Sequence, residues 1–266
     1  ALPVGSEFTY DAATWSVTPA MKETYNKNGY ILVRNMLSQA EIDKVKAAVE
    51  GDDGIQAQAY SRDDGKSRRS RVSLWNHPVS PLPHHTVTSP SPLTSPSPPQ
   101  LMGGDEIYHY HSKLMMKDAN TGGRHVWHQD YGYWYNNGCL YPNMASVFIP
   151  VDNCTRKNSC LQVLRGSHLL GRIDHRRIGE QLGADPERVE KAQKVLEHVY
   201  VEMKAGDMLF FHCNLLHTSD QNSSDLRRWV FIVLDSALME CDGQESLEGK
   251  WFMKLNDDIS IRDKVH

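Results

Sequence analysis

Apolar residues recur at helical spacing through the first fifty residues of this chain and at strand spacing over most of the rest. Ser38 and Glu41 form a capping-box pattern that opens a helix running to about Val49, with Ile42, Val45 and Val49 on one face. An earlier helix takes Thr18 as N-cap and Pro19 in its first turn, and Gly29 closes it. Residues 30–33 read as a strand. From 51 to 71 the chain is polar and turn-rich, and no element is predicted there.

Beyond Gly104 short apolar runs separated by turn residues predict strands over 107–116, 126–131, 145–151, 160–164, 199–203, 208–211, 215–217 and 229–234. One helix interrupts them, with Asp185 as N-cap and Pro186 at the first position, reaching about residue 198. Helices first and many short strands afterwards imply an antiparallel β core backed by helices. The stretch 78–100 holds eight of the thirteen prolines, so it can form neither a helix nor a central strand and reads as an extended surface loop. The expected organisation is one domain over 1–266: a helical N-terminal part (1–77), this Pro/Ser-rich loop, a β core (104–237) and a tail (238–266).

Composition narrows the class. With 39% hydrophobic and 23% charged residues, the chain is globular, and 266 residues suffice for one large core. A net charge of −4 without a basic face gives no reason to expect nucleic acid as a partner. The longest basic cluster, Lys66 to Arg71, lies among Gly, Asp and Ser and reads as a solvated loop. No apolar run approaches the roughly 20 residues needed to cross a bilayer. The first residues show neither an initiator Met nor a secretory pattern, so a fragment or a processed chain is expected. Five cysteines without a C-x-x-C pair suit reduced thiols in a cytoplasmic compartment.

Chemistry concentrates in the run Trp127-His128-Gln129-Asp130-Tyr131-Gly132-Tyr133-Trp134-Tyr135. On an extended strand, His128 and Asp130 point to one side. An imidazole and a carboxylate on one face, plus a distant second imidazole, is the ligand set of non-haem Fe(II) oxygenases, which leaves about three coordination positions open. Two histidines compete for the distant place, His212 and His217. The same donors also suit a zinc hydrolase, and a bare His-x-Asp fits a half-buried edge strand.

Several motifs in order carry a resemblance. The run from Glu106 to Trp134, then Asn158-Ser159-Cys160-Leu161 leading to Arg165-Gly166-Ser167-His168, then Gly206-Asp207 leading to His217, and finally Arg227-Arg228-Trp229-Val230-Phe231-Ile232-Val233 resemble the phytanoyl-CoA dioxygenase superfamily. The ectoine hydroxylase branch is especially similar, and the likeness covers about residues 104–237. It implies a mainly β fold with flanking helices, a double-stranded β-helix (jelly-roll, cupin-like) core. The implied activity uses Fe(II), O₂ and 2-oxoglutarate to hydroxylate an unactivated carbon of a small molecule.

The resemblance assigns the iron ligands, which are also the catalytic residues, to His128, Asp130 and His217. A planar guanidinium suits the far carboxylate of 2-oxoglutarate. Aligning the final strand favours Arg227, while counting from His217 favours Arg228; alternation lets only one face the interior, and Arg227 is the expectation. Ser219 matches the family's hydroxyl donor to that carboxylate, and His111, Lys113 and Gln129 join the co-substrate set. Met115 departs from the branch, which has Asn there. Trp134 matches a substrate-packing position, and Tyr131 and Tyr133 extend an aromatic wall that could hold a zwitterion by cation–π contact or an acyl group instead. A catalytically silent binding module on the same barrel is the remaining alternative.

Overall fold

Strand alternation sorts this chain into an inner and an outer layer. The computed structural model describes residues 5–65, 68–75, 101, 108–236 and 253–254. In chain order the elements are β1 (Glu7–Thr9), α1 (Pro19–Asn28), β2 (Tyr30–Arg34), α2 (Gln39–Gly51), α3 (Asp53–Ala57), β3 (Tyr60–Asp63), β4 (Arg69–Trp75) and β5 (Tyr108–Lys117). Then come β6 (His125–His128), the short α4 (Tyr131–Trp134), β7 (Met144–Pro150), β8 (Leu161–Leu164), β9 (His175–Ile178), β10 (Gln181–Ala184) and α5 (Pro186–Val195). The last are β11 (His198–Val201), β12 (Met208–His212), β13 (His217–Ser219), β14 (Arg228–Ser236) and β15 (Met253–Lys254).

The larger sheet has the order β1-β2-β12-β7-β14-β5-β4-β3, with β15 also pairing β5. The smaller has the order β11-β8-β13-β6, and β9 and β10 form a separate hairpin. The two sheets face one another as a double-stranded β-helix. Phe148, Leu209, Phe211, Val230 and Ile232 from the large sheet pack against Leu161, Val163, Val199 and Val201 from the small one. Their sequence neighbours Phe210, Phe231, Val147 and Ile149 point the other way, onto Met21, Tyr25, Ile42, Val45 and Val49 of the helices. All seven residues of β7 are buried because its sheet is covered on both faces.

Both N-terminal helices begin as the sequence implies. Thr18 accepts from the Met21 N–H at 3.2 Å, and Ser38 and Glu41 cap reciprocally. Gly29, at φ +80°, ends α1 where a Cβ would meet the His168 ring at 2.5 Å.

Four expectations change. The polar stretch after Gly51 is not featureless: it contains α3, β3 and the start of β4, and these strands extend the large sheet beyond β5. Polarity misled there because an edge strand needs only one buried face. Together with β1 and β2, they make the N-terminal part more than helical. The helix over 186–195 stops short of 198, since His198 already pairs with Leu164 in β11. The distal strand begins, rather than ends, at His217. Finally, β6 stops at His128, and Asp130 takes helical dihedrals as the cap of α4. The Pro/Ser-rich loop of 78–100 and most of the tail lie outside the described residues.

Candidate active site

His128 and His217 stand opposite each other on neighbouring antiparallel strands of the small sheet. Their rings are 4.0 Å apart between centroids. Each ring's Nδ1 contacts the carbonyl oxygen two residues earlier, His128 with Val126 at 2.8 Å and His217 with Leu215 at 2.9 Å. Only an N–H can donate to those oxygens, so both rings carry their proton on Nδ1 and leave Nε2 with a lone pair. Burial pushes both imidazoles below their usual range, His128 furthest, which keeps them neutral as metal ligands must be.

Asp130 completes the group by a different route from the one strand alternation suggests. The turn into α4 swings its carboxylate back toward the two rings, so that one donor atom from each residue lies within 4.8 Å of the others, all three buried. Asp130 Oδ1 is 3.9 Å from His217 Nε2, too long for a hydrogen bond and short enough for one ion to bridge. Its other oxygen, Oδ2, accepts from the Ser146 hydroxyl at 2.7 Å. Two neutral imidazoles and an anchored carboxylate in a buried pocket fit a divalent iron with open positions.

The cavity beside the triad is lined by Lys113, Met115, His125, Phe148, Leu161, Phe211, Thr218, Ser219, Arg228 and Ile232. Lys113 Nζ is 4.0 Å from Asp130 Oδ1, and burial lowers its pKa. Arg228 shares the inner face with Val230 and Ile232 and is 1% exposed, its guanidinium 6.0 Å from the Phe148 ring centroid. Ser219 sits close by at the end of β13.

Arg227 does not reach this cavity, which corrects the expectation. On the opposite strand parity, it pairs with Asp152 at 3.0 Å and with Glu50, and stacks over Trp229 at 4.4 Å. His212, the competing ligand, also points elsewhere. Its Nδ1 accepts from the Asn214 N–H, its ring lies 5.3 Å from His168, and burial lowers its pKa to about 4.

Gln129 is a structural brace rather than a co-substrate contact. Its buried amide donates to the carbonyls of Gly171 and Asn214 and accepts from the Ile173 N–H, which uses its polar atoms on backbone. Tyr131 is likewise withdrawn from any substrate, its phenol donating to the carbonyls of Cys139 and Leu140. Trp134 is buried against Tyr110 and His111, its ring centroid 6.1 Å from that of His111, and neither Trp134 nor His111 lines the cavity beside the triad. Tyr133 alone of the three aromatics approaches the triad, its ring 5.6 Å from His128.

Sequence reading missed four residues. His125 stacks on His128 at 3.9 Å with its Nε2 unpartnered. Lys117 is fully buried next to Ser219. Arg62 places positive charge near His125, His128 and the Tyr133 phenol, whose hydroxyl donates to the Leu182 carbonyl at 2.7 Å. Ser146 braces Asp130. The strand parity of Lys117 with Lys113 and Met115 could have marked the first of the two cations; Arg62 and Ser146 carry no sequence signal.

Four of the five cysteines are described, and each is a buried thiol. Burial pushes the Cys154 and Cys160 thiols up to about 12, so they are unreactive. No described helix is long and apolar enough to cross a membrane.

Comparison with known proteins agrees with this geometry. The family model described as phytanoyl-CoA dioxygenase matches residues 25–230. L-proline trans-4-hydroxylase of Streptomyces griseoviridis is 26% identical over 230 residues, covering 80% of this chain and 84% of that protein. Ectoine dioxygenase of Bordetella parapertussis is also 26% identical, over 80% of this chain and 74% of its own length. Among solved structures, EctD from S. alaskensis with 2-oxoglutarate and 5-hydroxyectoine superposes with a TM-score of 0.69 at 21% identity, over 84% of this chain and 79% of that one.

Proposed function

The chain belongs to the phytanoyl-CoA dioxygenase family and is a 2-oxoglutarate-dependent non-haem iron oxygenase; from that premise we propose that it hydroxylates an unactivated carbon of a small amino-acid-like molecule. In this reading His128, Asp130 and His217 hold the iron, and Arg228 with Ser219 holds the far carboxylate of 2-oxoglutarate. Lys113 faces the iron end of the same cavity. The observation that carries the reading is the convergence of the three buried donors within 4.8 Å, with a buried guanidinium on the same cavity.

Bound iron supplies the oxidising chemistry, consuming O₂ and 2-oxoglutarate and releasing succinate and CO₂. The protein's own residues do the rest. The carbonyls of Val126 and Leu215 fix the imidazole tautomers, Ser146 fixes the carboxylate, and Phe148, Phe211 and Ile232 keep the cavity dry. A zinc hydrolase would need the triad but gives Arg228 and Ser219 no task. A silent binding module would need no such complete ligand set.

The substrate class rests on two supports. Relatives named for L-proline and ectoine act on small amino-acid-type molecules. Near the triad, the Tyr133 ring and the Arg62 guanidinium offer an aromatic face and a cation for a substrate carboxylate. Incubation of the Fe(II) protein with 2-oxoglutarate, air and a panel of free amino acids, cyclic imino acids and acyl-CoA thioesters tests this. Succinate formation stimulated by an amino or imino acid, with a product heavier by one oxygen, is expected. Turnover confined to thioesters would move the substrate to the acyl class, and turnover retained by Asp130→Ala would remove the iron assignment.

A further inference from the structure

Behind the Arg228 end of the cavity lies a further buried cation, Lys117, that no motif accounts for. Lys117 is directly opposite Arg228 in the β5–β14 register, and both face inward. Both side chains are buried, Lys117 at 0% and Arg228 at 1% exposure. Placing two positive groups side by side in an apolar interior is costly unless something anionic or strongly polar answers them. Arg228 keeps its Nε unpartnered. Lys117 is answered by oxygens, and all of them belong to the end of β13: Ser219 Oγ at 2.8 Å, the Ser219 carbonyl at 3.4 Å and the Asp220 carbonyl at 2.5 Å. None of these is a carboxylate oxygen: the Asp220 carboxylate, near enough with that of Asp64 to favour the charged form of Lys117, accepts from Gln162 at 2.6 Å.

The contact with Ser219 has a directional consequence. Burial and the Arg228 charge lower the Lys117 pKa, and an anionic carboxylate bound at this corner would favour its ammonium form, which only donates, so that Ser219 Oγ accepts from Lys117. Its hydroxyl proton is then free to turn to another acceptor, and Ser219 makes no other side-chain hydrogen bond among the described residues. Ser219 borders the cavity together with Arg228. The hydroxyl proton, the unpartnered Arg228 Nε and the nearby ammonium charge therefore form one anion-holding corner.

We propose that Lys117 is a positioning residue for co-substrate binding: it holds Ser219 so that the hydroxyl donates toward the distal carboxylate of 2-oxoglutarate, and it adds a second positive charge behind that carboxylate. The inference rests on the oxygenase reading above and deepens it. It differs from a purely structural role, in which Lys117 would merely tie the 219–220 backbone to β5 and would be indifferent to the chemistry of the co-substrate tail.

Anaerobic titration of the Fe(II) protein, following the visible charge-transfer band, separates these roles. Two keto acids are compared: 2-oxoglutarate and 2-oxopentanoate, which has the same head group with a methyl in place of the distal carboxylate. Lys117→Met retains length without donors or charge. It should weaken 2-oxoglutarate by roughly tenfold or more while leaving 2-oxopentanoate and Fe(II) affinity unchanged. In a Ser219→Ala background the same substitution should cost markedly less, because the two residues act through one hydrogen bond. If Lys117→Met does not fold, Lys117→Gln, which removes the charge and keeps an N–H donor group, is expected to give the same selective loss in smaller measure. Equal weakening of both keto acids, or unchanged binding of 2-oxoglutarate, would overturn the proposal. Absence of any band in the unsubstituted protein would instead defeat the oxygenase reading on which it stands.

Discussion

Arg227 and Arg228 are adjacent in sequence and lie on opposite sides of the large sheet. Arg228 is sealed in the cavity, whereas Arg227 bridges Asp152 and Glu50 at the rim. Asn158 contributes to this arrangement, since its amide donates to the Arg227 carbonyl at 3.2 Å where β14 begins. The two should therefore fail differently. Arg228→Ala is expected to raise the 2-oxoglutarate KM roughly 100-fold, the loss of a charge-assisted pair in a dry site. Arg227→Ala should leave that KM unchanged and cost about 1 kcal/mol of stability, because its ion pairs are partly exposed. Steady-state kinetics at varied co-substrate, beside urea unfolding, checks both; a KM effect confined to Arg227→Ala would reverse the assignment.

Ser146 donates to Asp130 Oδ2 from the middle of β7, where it is completely buried. That bond turns Oδ1 toward the imidazoles. Ser146→Ala keeps the volume and removes the donor, so Fe(II) affinity should fall by roughly 10- to 100-fold, as for other residues that orient a ligand. Competition for Fe(II) with a chelator of known affinity measures this directly. Unchanged affinity would mean that Asp130 is oriented by the α4 turn alone.

Local signals in the chain were legible wherever one residue type has one job. Caps, glycine ends and the buried runs of β7, β12 and β14 could all be read, because capping chemistry and strand parity are local; His128, Asp130 and His217, whose donors the structure brings within 4.8 Å, stood out from His212 only through the family resemblance. The failures share a cause: they depend on where the backbone turns. Alternation from Val126 to Tyr131 places Asp130 on a strand, yet the chain enters α4 at Asp130, and its carboxylate meets the two imidazoles through a turn that the pattern does not encode. Tyr131 and Gln129 sit between ligand and aromatic neighbours and resemble site residues, but the same turn points them at backbone carbonyls. Arg62 lies in a polar stretch that gains meaning only when β3 pairs with β4 at the sheet edge.

Burial of histidines gives the protein a defined acid sensitivity. His212 carries a pKa lowered to about 4 by desolvation, against about 6.5 in an unfolded chain. Below pH 6.5 the unfolded state takes up a proton that the folded state refuses, so stability is lost as pH falls from about 6.5 to 4 and levels off below that. The contribution is at most about 3 kcal/mol, and His125, His128 and His217 act in the same direction. Urea unfolding of the metal-free protein should show a constant stability above pH 7 and a decline below it. His212→Asn should remove part of the slope, and identical slopes would show that His212 is protonated in the folded state.

Gly132 is where the loop carrying Asp130 meets its support. A Cβ there would lie 2.0 Å from the His175 ring, which no side chain tolerates without displacement. That ring is not a passive neighbour: its Nδ1 contacts the Ile173 carbonyl at 2.9 Å, and its Nε2 accepts from the Gln129 N–H at 3.0 Å. Displacing His175 therefore releases the backbone between His128 and Asp130, the two ligands it separates. Gly132→Ala should lower stability by about 1–3 kcal/mol through overpacking and weaken Fe(II) binding as well. Truncating the obstacle makes the test specific. In Gly132→Ala/His175→Ala the steric cost disappears, so stability should exceed that of Gly132→Ala alone, while Fe(II) binding stays impaired because the Gln129 N–H has lost its acceptor. Full recovery of iron affinity in the double variant would show that His175 only fills space; thermal unfolding and chelator competition on the four proteins of this cycle decide between the two.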